Sequence, residues 1–390
     1  GEMRGMVFPG KFVLYNSPGE ESIRLNTTER DSFSSFPSIS VASQDDESIF
    51  FTLTEKQRVD ALLLSGTPGG DNVSLTLTVE EGGAQDIAQN SNILLKNLFV
   101  EEIRDSILPK ILKATMNLTD AVLIITFQET VDEAYLFNSS HLSISNETAF
   151  HGLAGVSLSG ALLLKNRWEA QIYFLKLTEV QRHYAHLTSS QPGGDGVQGY
   201  FHMSNKVVRD MAGNFNRDLF NIPLVTFPDI VHPFVRNVTI QLGNGTLHIE
   251  FSESIEPSAV FLHKMYVSNV EEHKNISLAG ATFSTEYEFL TIYLTEEQRV
   301  SSILVSGTSG GDGNHAVFDI ETNATFDLAY NGIYEQHGIK IHELEDDYHP
   351  TIINASFNFS TGVLVLESSE TVDASSVNLA KVFISNVSDS

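Results

Sequence analysis

Leu294-Thr295-Glu296-Glu297-Gln298-Arg299, followed by Ser306-Gly307-Thr308-Ser309-Gly310-Gly311-Asp312, is one of three versions of the same stretch. The second is Leu177-Thr178-Glu179-Val180-Gln181-Arg182 with Pro192-Gly193-Gly194-Asp195. The third is Leu53-Thr54-Glu55-Lys56-Gln57-Arg58 with Ser65-Gly66-Thr67-Pro68-Gly69-Gly70-Asp71. The leading leucines stand 124 and 117 residues apart, so the chain is an array of one unit about 120 residues long. That period divides the 390 residues at 1–104, 105–228, 229–345 and 346–390.

Each unit carries period-two rows. Leu247, Ile249 and Phe251 alternate with polar residues, as do Leu123, Ile125 and Phe127, which marks half-buried strands. A second inward row reads Leu290, Ile292, Leu294, matched by Tyr173, Leu175, Leu177 and by Ile49, Phe51, Leu53. Thr295 with Gln298, Thr178 with Gln181 and Thr54 with Gln57 have capping-box spacing, which predicts a single helical turn crossing between sheets. Gly-Gly-Asp supplies residues that tolerate positive φ. Seven or so short strands per unit, with turns every 8 to 12 residues, argue for an all-β chain of tandem immunoglobulin-like sandwiches.

The unit boundaries recur as Asp105 with Pro109, Asp229 with Pro233 and Asp346 with Pro350, where proline suits the start of an edge strand. Each unit closes on Asp86-Ile-Ala-Gln-Asn90, Asp210-Met-Ala-Gly-Asn214 or Asp327-Leu-Ala-Tyr-Asn331. The Asp-x-x-x-Pro lead-in, the strand end Phe251-Ser-Glu-Ser-Ile-Glu-Pro257 and the Asp-x-Ala-Gly-Asn turn resemble the tandem Ig-like repeats of S-layer proteins and large surface adhesins. The whole acidic, acceptor-rich array is similar to glycosylated extracellular fibre proteins. The resemblance implies surface display, structural spacing and adhesion, with calcium at some domain junctions.

The composition narrows the partners. Fifty acidic against 23 basic side chains give a net charge of −27, which repels nucleic acid. No cysteine is present, so disulfides and thiolate zinc sites are excluded. No run reaches the roughly 18 apolar residues of a membrane span. Asn-x-Ser/Thr acceptors stand at Asn26, Asn72, Asn117, Asn138, Asn146, Asn237, Asn244, Asn275, Asn323, Asn354, Asn358 and Asn386. That is twelve of the 25 asparagines, where chance placement gives about four or five, and it points to N-linked glycans on a secreted, cell-surface protein.

Catalysis finds no footing. Gly307-Thr-Ser-Gly-Gly311 matches a nucleophile elbow, yet prolines Pro68 and Pro192 stand where Ser309 does. His337, His342 and His349 lack the i, i+4 step of a helical metal site, and Gly193-Gly-Asp-Gly196 lacks the lysine of a phosphate loop. Paired acids such as Glu253 with Glu256 have no cleft-forming insertion beside them. The single Trp168 and scattered aromatics form no carbohydrate-binding stripe, so a surface or carbohydrate ligand stays unspecified. The chain reads as a non-enzyme. Calcium is the one cofactor candidate: Asp105, Asp229 and Asp346 recur beside Glu101, Glu102, Glu345 and Asp347. The competing reading is that each Asp caps the turn before proline.

Residues 1–104 begin at what is mid-unit in the other repeats, with Lys11-Phe-Val-Leu-Tyr-Asn16 aligning on Lys264-Met-Tyr-Val-Ser-Asn269. Residues 346–390 carry the complementary first strands, with Leu364 and Leu366 followed by Glu370 and Asp373. Three expectations follow. Either the last segment of one copy completes the first segment of the next, giving a head-to-tail homopolymer, or residues 1–390 are a window of a longer adhesin stalk. A free, truncated monomer is the third.

Overall fold

Most alternating apolar residues become strand in the rows of the two complete units, while of Ile49, Phe51 and Leu53 only Phe51 lies in a strand. The computed structural model describes residues 7–16, 22–25, 40–41, 47–146, 155–164, 171–270 and 275–384, so Asn26, Trp168 and Asn386 lie outside it. Within these residues the protein is mostly β-sheet, with three α-helices of nine residues, α1 (Glu55–Leu63), α2 (Glu179–Leu187) and α3 (Glu296–Leu304). No helix is long and apolar enough to cross a membrane. The chain divides into two compact units, Gly1–Ser190 with Asp195–Phe227, and Gln191–Gly194 with Pro228–Ser390.

In the first unit, eight strands are ordered Val156–Ser157, Leu142–Ser145, Tyr200–Met203, Leu219–Phe227, Ile111–Asn117, Val122–Phe127, Ile172–Lys176, Leu162–Leu164. The fourth serves two ladders. Its first half pairs antiparallel with Tyr200–Met203, while Leu224–Phe227 run parallel to Ala114–Asn117. The sheet therefore curls around a core in which Met116, Leu123, Ile125, Phe127 and Leu175 are fully buried. In the second unit Ile276–Ser277, Met265–Ser268, Val317–Ile320, Gln336–Leu344, Val235–Gln241, Thr246–Phe251, Phe289–Tyr293 and Thr282–Glu286 take the same order. Here Ile341–Leu344 run parallel to Val238–Gln241 over Ile240, Leu247, Ile249 and Phe251. Ile111–Asn117 and Val235–Gln241 are interior strands rather than edges. Proline is tolerated because Pro109 and Pro233 stand two residues before the first ladder residue, where no amide is needed.

The Thr-Glu-x-Gln segments are longer than one turn. No glycine or proline interrupts the nine residues of each helix, and the Ser-Gly that follows α1 and α3 ends them. All three capping boxes form. The glutamine has a second duty. Gln298 Nε2 donates to Ser277 and Ala279 carbonyls at 2.9 Å each, and Gln181 Nε2 donates likewise to Ser157 and Ser159, pinning the helix to the neighbouring loop. Gly310 (φ +89°) is left-handed, and a Cβ at Gly311 would collide with the Ser306 carbonyl, so Gly307–Gly311 is a backbone-limited turn rather than an elbow.

Two parts are less covered. The first unit also holds a four-stranded sheet, Ser22–Arg24, Phe12–Tyr15, Thr76–Val79, Leu95–Phe99. Its described core is only Phe12, Ile23, Leu25, Ala61 and Leu75, against 21 buried apolar residues in each complete cluster. Ile49, expected inward, is 44% exposed, because no strand among the described residues lies against it; Phe51 is held by Phe12 at a ring distance of 4.8 Å. In the second unit, strands Ile352–Asn358 and Val363–Ser368 pair, among the described residues, only with each other.

Burial sets the expected cost of truncation. Phe251→Ala, at a fully buried site, should destabilise the second unit by about 3–5 kcal/mol. Leu366→Ala, 43% exposed, should cost about 0.5 kcal/mol or less in dilute protein. Urea unfolding checks both, and equal losses would contradict the assigned cores.

Candidate functional site

The repeated Arg of the Thr-Glu-x-Gln-Arg segment converts three sequence motifs into one site. One turn of α1 places Arg58 beside Glu55, with Nε and Nη2 donating to its two oxygens at 2.7 and 2.6 Å. The same guanidinium donates from Nη1 to Asp105 Oδ2 (3.1 Å) and lies 3.6 Å from Glu129 Oε2. Glu55 in turn accepts the Thr130 amide at 2.8 Å. One arginine thus clamps the end of a repeat to both the lead-in and the second strand of the repeat that follows.

The second unit repeats the arrangement. Arg299, 7% exposed, forks onto Glu296 and reaches Asp346 Oδ2 at 2.7 Å and Glu370 Oε2 at 3.2 Å, while Glu296 accepts the Thr371 amide at 2.7 Å. The Arg299 hydrogen bonds hold the Glu296 carboxyl down at about 2. Arg182 makes the same fork onto Glu179 and donates to the Leu118 carbonyl, as Arg299 does to Leu242.

Two of the three junction aspartates enter acidic triads. Asp105 joins Glu129 and Asp210, and Asp229 joins Glu253 and Asp327, each set with carboxylate oxygens within 4.8 Å of one another. The partners are not Glu101 or Glu102. Glu101 is exposed, and Glu102 accepts the Gly66 and Leu75 amides. The turn Asp210–Asn214 explains its own spacing: Asn214 donates its amide and Nδ2 to the Asp210 carboxylate, both at 2.8 Å, and Nδ2 also reaches the Asp105 carbonyl at 3.2 Å. Asn331 does the same between Asp327 and Asp229. Asp346 belongs to no such triad among the described residues; its carboxylate takes Arg299 and the Tyr348 amide. His342 and His349 are exposed and join no group of ligands there.

The first triad is short of positive charge. Arg58 faces Glu55, Asp105 and Glu129, with Asp210 behind them. Glu129 is 6% exposed and its Oε1 has no hydrogen-bond partner. Burial first, then the Asp210 charge, push its carboxyl up to about 7, against the pull of Arg58. An all-carboxylate set with a vacant buried oxygen fits a hard cation such as calcium, which would supply the missing charge; Asp105, Glu129 and Asp210 are the residues that would hold it.

A buried Ser–His pair proves inert. Ser145 Oγ lies 2.9 Å from His202 Nε2, but His202 Nδ1 accepts the Asn221 amide, so Nε2 carries the proton and cannot act as a base toward the hydroxyl.

Of the glycan acceptors, Asn72, Asn138, Asn237, Asn244, Asn275, Asn323, Asn354 and Asn358 are exposed, and Asn117 is half-buried. Asn146 differs: its Nδ2 donates to Asp195, just as the non-acceptors Asn16 and Asn269 donate to Asp71 and Asp312. Sequence reasoning missed Glu129, Asp210, Glu253 and Asp327 as cluster members. The signal was their recurrence in the Phe-x-Glu and Asp-x-x-x-Asn motifs.

Compared with models of known families and with curated proteins, the chain matches none.

The raised Glu129 carboxyl binds its proton more tightly folded than unfolded. Its stabilising contribution is therefore complete below about pH 4.5 and is lost as pH rises through about 7. In metal-free buffer, Glu129→Gln should stabilise the protein at pH 8 by on the order of 1–3 kcal/mol and leave it nearly unchanged at pH 4.5. Destabilisation at pH 8 in chemical unfolding would contradict this account.

Proposed function

We propose that the chain is a structural subunit of an extracellular, glycosylated fibre built from tandem immunoglobulin-like sandwiches. The subunits join head to tail, one subunit's terminal hairpin completing the first sheet of the next. The observation that carries the reading is the hairpin Ile352–Asn358/Val363–Ser368. Its two strands have the pairing pattern of Val235–Gln241/Thr246–Phe251, bulge included, yet all its residues except the half-buried Leu364 and Ser368 are exposed. A two-stranded ribbon alone is marginal in water, whereas the same ribbon inside a curled sheet buries several apolar side chains at roughly 1.5–3 kcal/mol each. Mechanism here is mechanical: ladders carry load, arginine clamps fix successive repeats, and glycans with net negative charge coat the surface.

A second reading, the stalk of a cell-surface adhesin rigidified by calcium, draws on the vacant Glu129 oxygen. In that case the open sheet is completed within a longer covalent array.

Negative-stain electron microscopy and light scattering of the full chain separate the two. The fibre reading expects linear polymers from the native sequence and monomers from Phe357→Asp/Leu366→Asp at the same concentration. Native protein that stays monomeric throughout would overturn it.

Glycans go to acceptors whose amide nitrogen is free of structural duty. Glycopeptide mass spectrometry of the secreted protein should find the exposed Asn72 and Asn237 occupied and Asn146 bare. A fully occupied Asn146 would contradict the role given to its bond with Asp195.

A further inference from the structure

The open edge and the unpaired hairpin can be aligned residue by residue from the two complete repeats. In the first of these, the antiparallel pair Tyr200–Pro223 is followed at once by parallel pairing of Leu224–Phe227 with Ala114–Asn117. In the second, Val317–Lys340 is followed by Ile341–Leu344 on Val238–Gln241. The corresponding antiparallel pair in the four-stranded sheet is Thr76–Phe99. The stretch that follows it, Val100–Ile103, belongs to no strand.

The hairpin sets the other half of the register. Val235–Phe251, Asn237–Glu250 and Val238–Ile249 correspond to Ile352–Ser368, Asn354–Glu367 and Ala355–Leu366, so Ala355 stands where Val238 and Ala114 do.

Resting on the fibre reading above, we propose that Ala355–Asn358 of one copy pairs in parallel with Val100–Ile103 of a second copy, Ala355 opposite Val100. The Phe359 amide then donates to the Ile103 carbonyl, as the Leu118 amide does to Phe227 (3.2 Å) and the Leu242 amide to Leu344 (3.1 Å). On the far side of the hairpin, Leu364 faces Phe51 and Leu366 faces Ile49, following Leu247 on Ile292 and Ile249 on Leu290. Phe357, Leu364 and Leu366 enter a groove of about 590 Å³ whose walls include Leu14, Leu53, Leu62, Leu75 and Val100. Phe359, 92% exposed, covers its end where Leu118 and Leu242 are fully buried.

Three observations favour a second copy as the occupant. The chain itself carries a hairpin in the required register. Its inward set of Ala, Phe, Leu and Leu matches the apolar character of the positions it would fill. And the hairpin's base is already fixed, since Arg299 grips Asp346 before it and Glu370 after it, so little order is lost on docking.

The chain has no cysteine, which makes cross-linking clean. Glu101 and Ser356 would be opposite on the exposed face, so Glu101→Cys and Ser356→Cys are placed in separate full-length proteins, mixed and oxidised. The expected result is a disulfide-linked heterodimer, with at least tenfold less from Glu101→Cys mixed with Asn354→Cys, two residues out of register. Polymers by light scattering with cross-linking at the shifted pair alone would overturn the register while leaving the fibre reading standing. Mixtures that remain monomeric and unlinked would overturn both.

Discussion

An arginine fixed at the fourth position of a short capped helix is what ties one repeat to the next. Arg58 and Arg299 each hold a glutamate from their own helix and two acids from the repeat beyond, and the helix glutamate returns a bond to that repeat's backbone. Exposed ion pairs contribute little. Arg299 differs in that it is nearly buried, its fork onto Glu296 is bidentate and three acids share it, so removing the cation would leave the partly buried Asp346 and Glu370 carboxylates unmatched. Residues 105–227 are joined to the segment before them through Arg58, and the terminal hairpin to its predecessor through Arg299.

Much of this was legible in the sequence, and the reason is repetition. Period-two rows placed Leu123, Ile125, Phe127 and their counterparts inward, and all three Thr–Gln capping boxes form as their spacing required. What could not be read was anything depending on which distant segments meet. Glu129 and Asp210 are 81 residues apart, and nothing local says that a curled sheet brings them together around Asp105. Ile49 failed for the same reason in reverse: its pattern is inward, but a side chain is buried only if something covers it. Helix length was underestimated because the capping box marks a start and carries no information about the stop.

The exposed groove and the exposed hairpin are complementary consequences of one rule, that a strand with an apolar face must be covered. An open ladder edge beside a groove lined by leucines is a liability for an isolated domain and an asset for an assembly. In the proposed fibre, polarity would follow because the donor segment and the acceptor sheet are different surfaces, and such contacts extend rather than close. The acidic triad Asp105, Glu129 and Asp210 lies beside the Arg58 clamp, and burial with the Asp210 charge raises the Glu129 carboxyl there.

The central claim, that Val100–Ile103 and Ile352–Ser368 satisfy each other across copies, is tested most directly by amide hydrogen exchange as a function of protein concentration. The account predicts slowing at Glu101, Ile103 and Phe359 as concentration rises, whereas the amide of Val100, already donated to Leu75 within the chain, leaves no such signal and that of Ile249, inside a complete sheet, does not change. Exchange at Glu101, Ile103 and Phe359 that is independent of concentration would contradict it.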